Sequence, residues 1–223
     1  MYAELKNERT YLILTMQRNP ALEKVERLLG DRRVPIHEEY TENPTDITDE
    51  VFKNEPEWGD MDDWRMPYWN VNRLGMSCTV IGDKTIFIGG EHEDYYDPNF
   101  YVYNDVIVVT DETVRVYGYS YHVFPPTDFH CAIAIDDHIW ILGNVGYYSR
   151  EREVIQVCRL HVPTMKMELL DASGDAPPWI NFHESQGHSC TLQEDGVSIL
   201  LVTCNKEAWV LDTRNCIWTK QHQ

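Results

Sequence analysis

Basic residues are scarce in this sequence. Its 223 residues contain 19 Lys and Arg against 37 Asp and Glu, which gives a formal net charge of -18. Because binding to phosphate groups requires clustered Lys and Arg, this balance argues against nucleic acid and against an anionic membrane surface as direct ligands. It favours a basic protein partner, or it serves solubility alone.

Long apolar runs and paired cysteine motifs are also lacking. No run approaches the roughly 18 apolar residues of a membrane helix. The first residues have no basic start followed by an apolar core, so we expect no secretory signal and a soluble, cytoplasmic protein. No Cys-x-x-Cys pair occurs, so we expect buried reduced thiols rather than a zinc site or a disulfide framework. The six cysteines are Cys78, Cys131, Cys158, Cys190, Cys204 and Cys216.

Motifs of known chemistry are missing as well. There is no Gly-rich phosphate loop, no Gly-x-Ser-x-Gly elbow and no His-Glu-x-x-His, so we predict no catalytic residues and no cofactor. His92 stands in a loop rich in oxygen ligands, but its spacing fits no EF-hand. His130 and His188 occupy related positions, next to Cys131 and one residue from Cys190. They could meet as metal ligands, but we favour polar groups bonded to neighbouring backbone, and we predict no metal site.

The N-terminal third, residues 1–69, mixes helix and strand patterns. Residues 11–16 form a short apolar run of strand length. Asn19 and Pro20 then open a predicted helix over residues 21–30, with Asn19 as the N-cap and Gly30 as the stop.

An acidic segment follows over residues 38–63. It holds eleven acidic residues against a single lysine, and tryptophans lie within and just after it. Two interpretations are open. The segment could be a solvated connection whose aromatic side chains pack back on the body. It could also be a recognition surface, because rings supply anchors and carboxylates supply steering.

From residue 73 onward the pattern repeats. Three units align through Cys78, Cys131 and Cys190, with spacings of 53 and 59 residues by subtraction. A period near 50 residues is typical of propeller blades rather than of helical repeats. Each unit contains four short apolar runs separated by turn residues, which predicts four antiparallel strands. The predicted third strands cover residues 104–111, 154–160 and 208–213, and the predicted fourth strands cover residues 114–117, 165–169 and 216–219.

These units resemble the kelch repeat over roughly residues 70–220. The matching features are a Gly-Gly pair after the second strand, an Asn-Asp pair opening the third, an Asp in the turn after it, a Trp in the outer strand, and Arg and His-Ser before the first. In this sequence they are Gly89-Gly90, Asn104-Asp105, Asp111 and Asp212, Trp218, and Arg73, Ser77 and His188-Ser189, with Pro125-Pro126 and residues 174–178 as bridges between units. The Gly-Gly pair is replaced by Gly143-Asn144 and by Thr203-Cys204 in the later units.

The resemblance implies a mainly β fold of the kelch or galactose-oxidase type. We expect an incomplete or small β-propeller of four-stranded antiparallel blades over residues 70–223, with repeats at about 73–125, 126–180 and 181–223. Residues 1–69, with the N-terminal helix, would pack on this body. Propellers close with four to eight blades, so three units leave open whether the N-terminal strand completes a fourth, whether a second chain closes the array, or whether the array stays open.

The resemblance carries no oxidase activity here, because no ligand set matches residue by residue. We therefore expect a non-catalytic protein that binds a basic partner, narrowed to a bacterial immunity protein that neutralises a basic toxin such as a nuclease effector. The alternatives are a kelch-type adaptor and a carbohydrate-active or oxidative enzyme on a propeller. The predicted partner-binding residues are Glu38, Glu39, Asp49, Glu50, Trp58, Asp60, Asp62, Asp63, Trp64, Glu91, Glu93, Asp94, Tyr95, Tyr96, Asp97, Tyr101, Tyr147 and Tyr148.

Overall fold

The computed structural model describes residues 19–29, 34–35, 42–49, 68–69, 71–92, 100–143, 146, 153–178 and 188–222. The described chain is mainly β, as the sequence predicts. Its strands form several sheets with mostly antiparallel pairing, and among the described strands none of the sheets closes on itself.

Three sheets each contain four antiparallel strands that pair in chain order. The first sheet is built from β4 (Ser77–Ile81), β5 (Lys84–Ile88), β8 (Asp105–Val109) and β9 (Val114–Gly118). The second is built from β10 (Cys131–Ile135), β11 (His138–Leu142), β12 (Val157–His161) and β13 (Lys166–Leu170). The third is built from β15 (Ser189–Leu192), β16 (Ser198–Val202), β17 (Ala208–Asp212) and β18 (Ile217–Gln221).

Short strands extend or flank these sheets. The strand β2 (Thr45–Asp46) adds to β9 in antiparallel fashion, and β14 (Ser173–Gly174) adds to β18 in parallel. Two small pairs join β1 (Val34–Pro35) to β3 (Tyr68–Trp69) and β6 (Glu91–His92) to β7 (Tyr101–Val102).

The first hairpin of each sheet turns where the sequence predicts. Ile81 pairs with Lys84 and Ile135 pairs with His138, so both loops have two residues, and each opens with a positive φ, at Gly82 and Asp136. In the third sheet the loop is longer. There the Asp195 carboxylate accepts backbone hydrogen bonds from Val197 and Ser198 at 3.0 and 2.8 Å, as expected for an Asx turn.

The second sheet lies face to face between the other two. Along β11, Ile139 and Ile141 are buried against the first sheet, whereas Trp140 and Leu142 are buried against the third. This alternation follows from the two-residue period of a strand. In addition, β10 contacts both β4 and β15, so the first strands of the three sheets lie side by side.

The free face of the first sheet is covered by N-terminal elements. The helix α1 (Pro20–Leu29) starts at the predicted cap, where Asn19 Oδ1 accepts a hydrogen bond from the Ala21 amide at 2.9 Å. Its Val25 is fully buried in a core that also contains Trp69 of β3 and Phe87 of β5. Lys24 Nζ donates to the backbone carbonyl of Thr110 at 2.6 Å, which ties the helix to the loop between β8 and β9. The predicted strand 11–16 and Gly30 lie outside the described residues.

Candidate functional site

Most of the predicted partner-binding residues lie outside the described part of the chain. These residues are Glu38, Glu39, Glu50, Trp58, Asp60, Asp62, Asp63, Trp64, Glu93, Asp94, Tyr95, Tyr96, Asp97, Tyr147 and Tyr148. Among the described ones, Asp49 is exposed.

Glu91 and Tyr101 are buried, so the structure does not place them on the partner-facing loop surface that the sequence predicts. They are 6% and 3% exposed. Glu91 belongs to β6, and its backbone exchanges two hydrogen bonds with Leu74, at 2.8 and 2.9 Å. The Tyr101 ring packs edge-on against Tyr103 with 5.0 Å between centroids, and its hydroxyl lies 3.3 Å from the Tyr121 hydroxyl. Both residues therefore belong to the buried pair of strands β6 and β7.

The three sheets bring their hairpin acids to one end of the molecule. The first strands run side by side and their starting residues meet, so the turns that follow these strands lie on the same, opposite side of the sheets, a strand length of about 17 Å away. We call this end the acidic turn end. Its exposed carboxylates come from every sheet: Asp83, Asp136, Asp137, Glu194 and Asp195.

The opposite end, where the first strands begin, carries the histidine and cysteine pairs of the repeat. We call Ser77, His130, Cys131, His188 and Cys190 the thiol–imidazole cluster. Each sheet contributes from the start of its first strand or the residue just before it, which is why the same repeat position brings these residues together.

His130 is held by hydroxyl groups. Its Nε2 lies 2.8 Å from Ser77 Oγ and its Nδ1 lies 3.5 Å from Thr127 Oγ1. Burial lowers the pKa of His130 from 6.5 to about 3, and the neighbouring His188 adds to that shift. The ring is therefore neutral at physiological pH. The sequence-based interpretation of His130 as a satisfied polar group holds, although the partners are side chains rather than backbone.

The two cysteines of the cluster share one hydrogen bond. The Cys190 thiol donates to Cys131, which lowers the pKa of Cys131, and a hydrogen bond and charge from His188 lower it further. The same interaction raises the pKa of Cys190, because its proton is held by the neighbouring sulfur and it is desolvated. Both residues are only partly exposed. Because His188 acts on Cys131 and is not among the groups that shift the pKa of Cys190, the thiolate is favoured on Cys131.

Neither metal binding nor a membrane span emerges from the described residues. Within them, no group of three or more His, Cys, Asp or Glu side chains is arranged to hold a metal ion. No described helix has both the length and the apolar character that crossing a bilayer requires.

Repeat alignment pointed to the thiol–imidazole cluster, because it placed His130 and His188 in related positions. It did not show that Cys131 and Cys190 touch, since that contact depends on how the second and third sheets pack. In the sequence, the residues of the acidic turn end were recognised only as turn residues and not as a shared surface. Its signal was that each first hairpin carries an acid, at Asp83, Asp136 and Glu194.

Comparison with known proteins identifies no family for this chain. No protein-family model and no curated protein matches the chain. Among solved structures, that of YjhT is similar with a TM-score of 0.49 and 13% identity, over 67% of this chain and 52% of that one. The chain thus spans about half the length of that structure, and a likeness at this level bears on neither function nor site residues.

Proposed function

We propose that this chain is a non-catalytic binding protein on a degenerate kelch-like propeller scaffold. Three four-stranded meanders stacked face to face, with their first strands side by side, support the propeller assignment. Kelch-type residues of the first unit also make hydrogen bonds and an ion pair that fit the repeat. Arg73 pairs with Asp105 and donates to the Gly89 carbonyl at 3.1 Å, while Asn104 donates to the carbonyl of Phe124 at 3.2 Å.

The partner in this proposal is a basic protein. The observation that carries it is the acidic turn end, to which all three sheets contribute exposed carboxylates, in a chain with a net charge of -18. Like charges gathered on one face raise the local concentration of an oppositely charged partner and speed its encounter. The acidic segment of residues 38–63 would add to the same attraction.

The narrower proposal is a cytoplasmic immunity protein that neutralises a basic toxin, such as a nuclease effector. Carboxylates mimic phosphate groups, so an acidic face can occupy a cleft that evolved to bind nucleic acid. A kelch-type adaptor would use the same face, but its partner would remain functional when bound, whereas a neutralised toxin would lose its activity.

The proposal is tested by capture from a lysate of the source cell with two matched variants as bait. The first variant, D83N/D136N/D137N/E194Q, neutralises the acidic turn end. Asn suits position 136, because its φ is positive and Asn tolerates that conformation. We expect the wild type to retain a basic protein at moderate salt and this variant to lose it by about tenfold or more.

The control variant removes the same charge from exposed acids outside the first hairpins of the three sheets. It carries E153Q, D171N, D175N and E207Q. We expect it to capture the basic protein as the wild type does. Equal loss in both variants would show that net charge alone matters, and retention by the turn-end variant would remove the acidic turn end as the binding face.

A further inference from the structure

We propose that Cys131 and Cys190 are a redox-active dithiol that closes to an intramolecular disulfide when the protein meets a hydroperoxide. The proposal concerns the end of the sheets opposite the acidic turn end, and it stands independently of the partner. It rests on the contact between two sulfur atoms from neighbouring sheets and on the imidazole beside them.

The first argument is proximity. Cys131 opens β10, Cys190 is the second residue of β15, and these two strands contact each other. The Cys131 side chain interacts with both the side chain and the backbone of Cys190, and both side chains pack on the same core cluster. A disulfide requires the two β-carbons to come within about 4 Å, and hydrogen-bonded thiols on adjacent strands are close to that arrangement.

The second argument is chemical asymmetry. A thiolate is the attacking species in thiol oxidation, and a neighbouring thiol that keeps its proton is suited to resolve the product. His188 interacts with Cys131 and stabilises its thiolate, whereas among the described residues no imidazole acts on Cys190. Cys131 is therefore the attacking residue, Cys190 the resolving residue, and His188 a positioning residue.

The two steps balance without any further reagent. The Cys131 thiolate attacks one oxygen of hydrogen peroxide, breaking the O–O bond, and forms a sulfenic acid while hydroxide leaves. The Cys190 thiol then attacks that sulfur, forming the S–S bond, and its proton leaves with the hydroxyl group as water. Two sulfurs are oxidised by two electrons in total, and one peroxide is reduced to one hydroxide and one water, the hydroxide becoming a second water when it takes up the proton that Cys131 lost. A small thiol reductant reverses the change by thiol–disulfide exchange.

The other four cysteines provide the contrast. Cys216 packs on the same core cluster as Cys131 and Cys190, but no cysteine is among the groups that shift its pKa, which burial raises. Cys78 is exposed and accepts a hydrogen bond from Asn19 Nδ2 at 3.4 Å, and Cys204 is exposed at the hairpin between β16 and β17. Cys158 is buried in the core between the first and second sheets, where Gln156 Nε2 lies 3.0 Å from its sulfur. In none of these last three does the structure place another cysteine as hydrogen-bond donor.

The test uses the full chain, reduced and then treated with equimolar hydrogen peroxide near neutral pH. Free thiols are blocked in denaturant and the peptides are mapped by mass spectrometry. We expect one cross-linked peptide pair joining Cys131 to Cys190, lighter by two hydrogens and restored by dithiothreitol. A cross-link between other cysteines, or Cys131 and Cys190 both recovered as thiols, would overturn the proposal.

Three variants assign the roles. In Cys190→Ser the sulfenic acid should accumulate on Cys131 and react with dimedone, and its absence there would contradict the order of attack. Cys204→Ser is the control and should cross-link like the wild type. His188→Asn should slow cross-linking by about tenfold near neutral pH, with the difference shrinking above about pH 9, where the thiolate forms unaided. An unchanged rate near neutral pH would remove His188 from the mechanism.

Discussion

At the scale of single residues, Gly89 shows why the first unit needs its Gly-Gly pair. Its φ is +59°, and a Cβ there would lie 2.3 Å from the carbonyl oxygen of Thr127. The backbone at this point packs directly against the chain that enters the second sheet. A side chain is excluded by space as well as by conformation.

We predict that Gly89→Ala destabilises the fold by about 3 kcal/mol or more, because backbone strain and a backbone clash coincide. Gly82→Ala is the matched control. It has the same φ, +59°, but nothing within 4 Å of the added carbon, so only the conformational cost of about 1 kcal/mol applies. Urea unfolding of both variants measures the difference, and equal losses would contradict the close approach at Gly89.

The second residue-scale prediction concerns pH. With its pKa lowered from 6.5 to about 3, His130 is neutral in the folded protein but protonates near 6.5 when unfolded. The unfolded state then binds more protons below pH 6.5, so this residue makes stability fall with decreasing pH, by up to about 1.4 kcal/mol per unit. Above pH 6.5 it contributes no pH dependence.

An NMR titration checks this prediction without any variant. The ring resonances of His130 should stay unshifted from pH 8 down to the onset of acid unfolding. Titration of His130 near its ordinary pKa would show that the ring is not buried with Ser77 and Thr127.

At the scale of elements, one buried ion pair joins several segments. Arg73 Nη2 donates to Asp105 Oδ2 at 2.9 Å, and Trp69 Nε1 donates to the same oxygen at 2.6 Å. The guanidinium also lies over the Tyr103 ring, 3.4 Å from its centroid. The pair therefore links β3, the end of β5 and the start of β8.

We predict that Asp105→Asn destabilises the protein by about 3–5 kcal/mol, because it removes a carboxylate charge that is hydrogen-bonded to the buried Arg73 guanidinium. The control is Glu168→Gln, which removes the partner of Arg159 across β12 and β13 in a half-exposed pair. That change should cost less than about 1 kcal/mol. Thermal or urea unfolding compares the two, and a small loss for Asp105→Asn would mean that the pair is not the link described.

Strand positions were predictable because alternation and turn residues are local signals. Some predicted strand boundaries were wrong, and the local causes were not visible in the sequence pattern. The fourth strands were predicted to begin at Met165 and Cys216, but both residues have a positive φ and the strands begin one residue later. The third strand of the second unit was predicted from Val154, yet Val154 bridges to Pro178 and β12 begins only at Val157.

The helix was predictable from its cap, but its position was not. Asn19 and Pro20 define where α1 begins, whereas the burial of Val25 against the first sheet depends on contacts distant in sequence. The same limit explains Glu91 and Tyr101. Their neighbours in sequence are acidic and aromatic, which indicated a surface loop, whereas contacts distant in sequence bury them, such as the bridge of Glu91 to Leu74 and the packing of Tyr101 in the core of the first sheet.

At the scale of the whole molecule, the stacked sheets hold two groups of functional residues apart. The first strands begin at the thiol–imidazole cluster and end at the acidic turn end. Because strands of five residues keep the ends about 17 Å apart, substitutions at one end should leave the other unaffected. The proposed binding of a basic partner and the proposed oxidation of Cys131 and Cys190 can therefore be measured independently.

The central claim is that the acidic turn end steers a basic partner onto this protein. The most direct measurement is the association rate of the captured partner as a function of ionic strength, for the wild type and for D83N/D136N/D137N/E194Q. For the wild type we predict a rate that falls by about tenfold or more from low to high salt, and for the variant a slower rate with a clearly shallower dependence. Association that is independent of salt in the wild type, or equally steep in both proteins, would contradict the account.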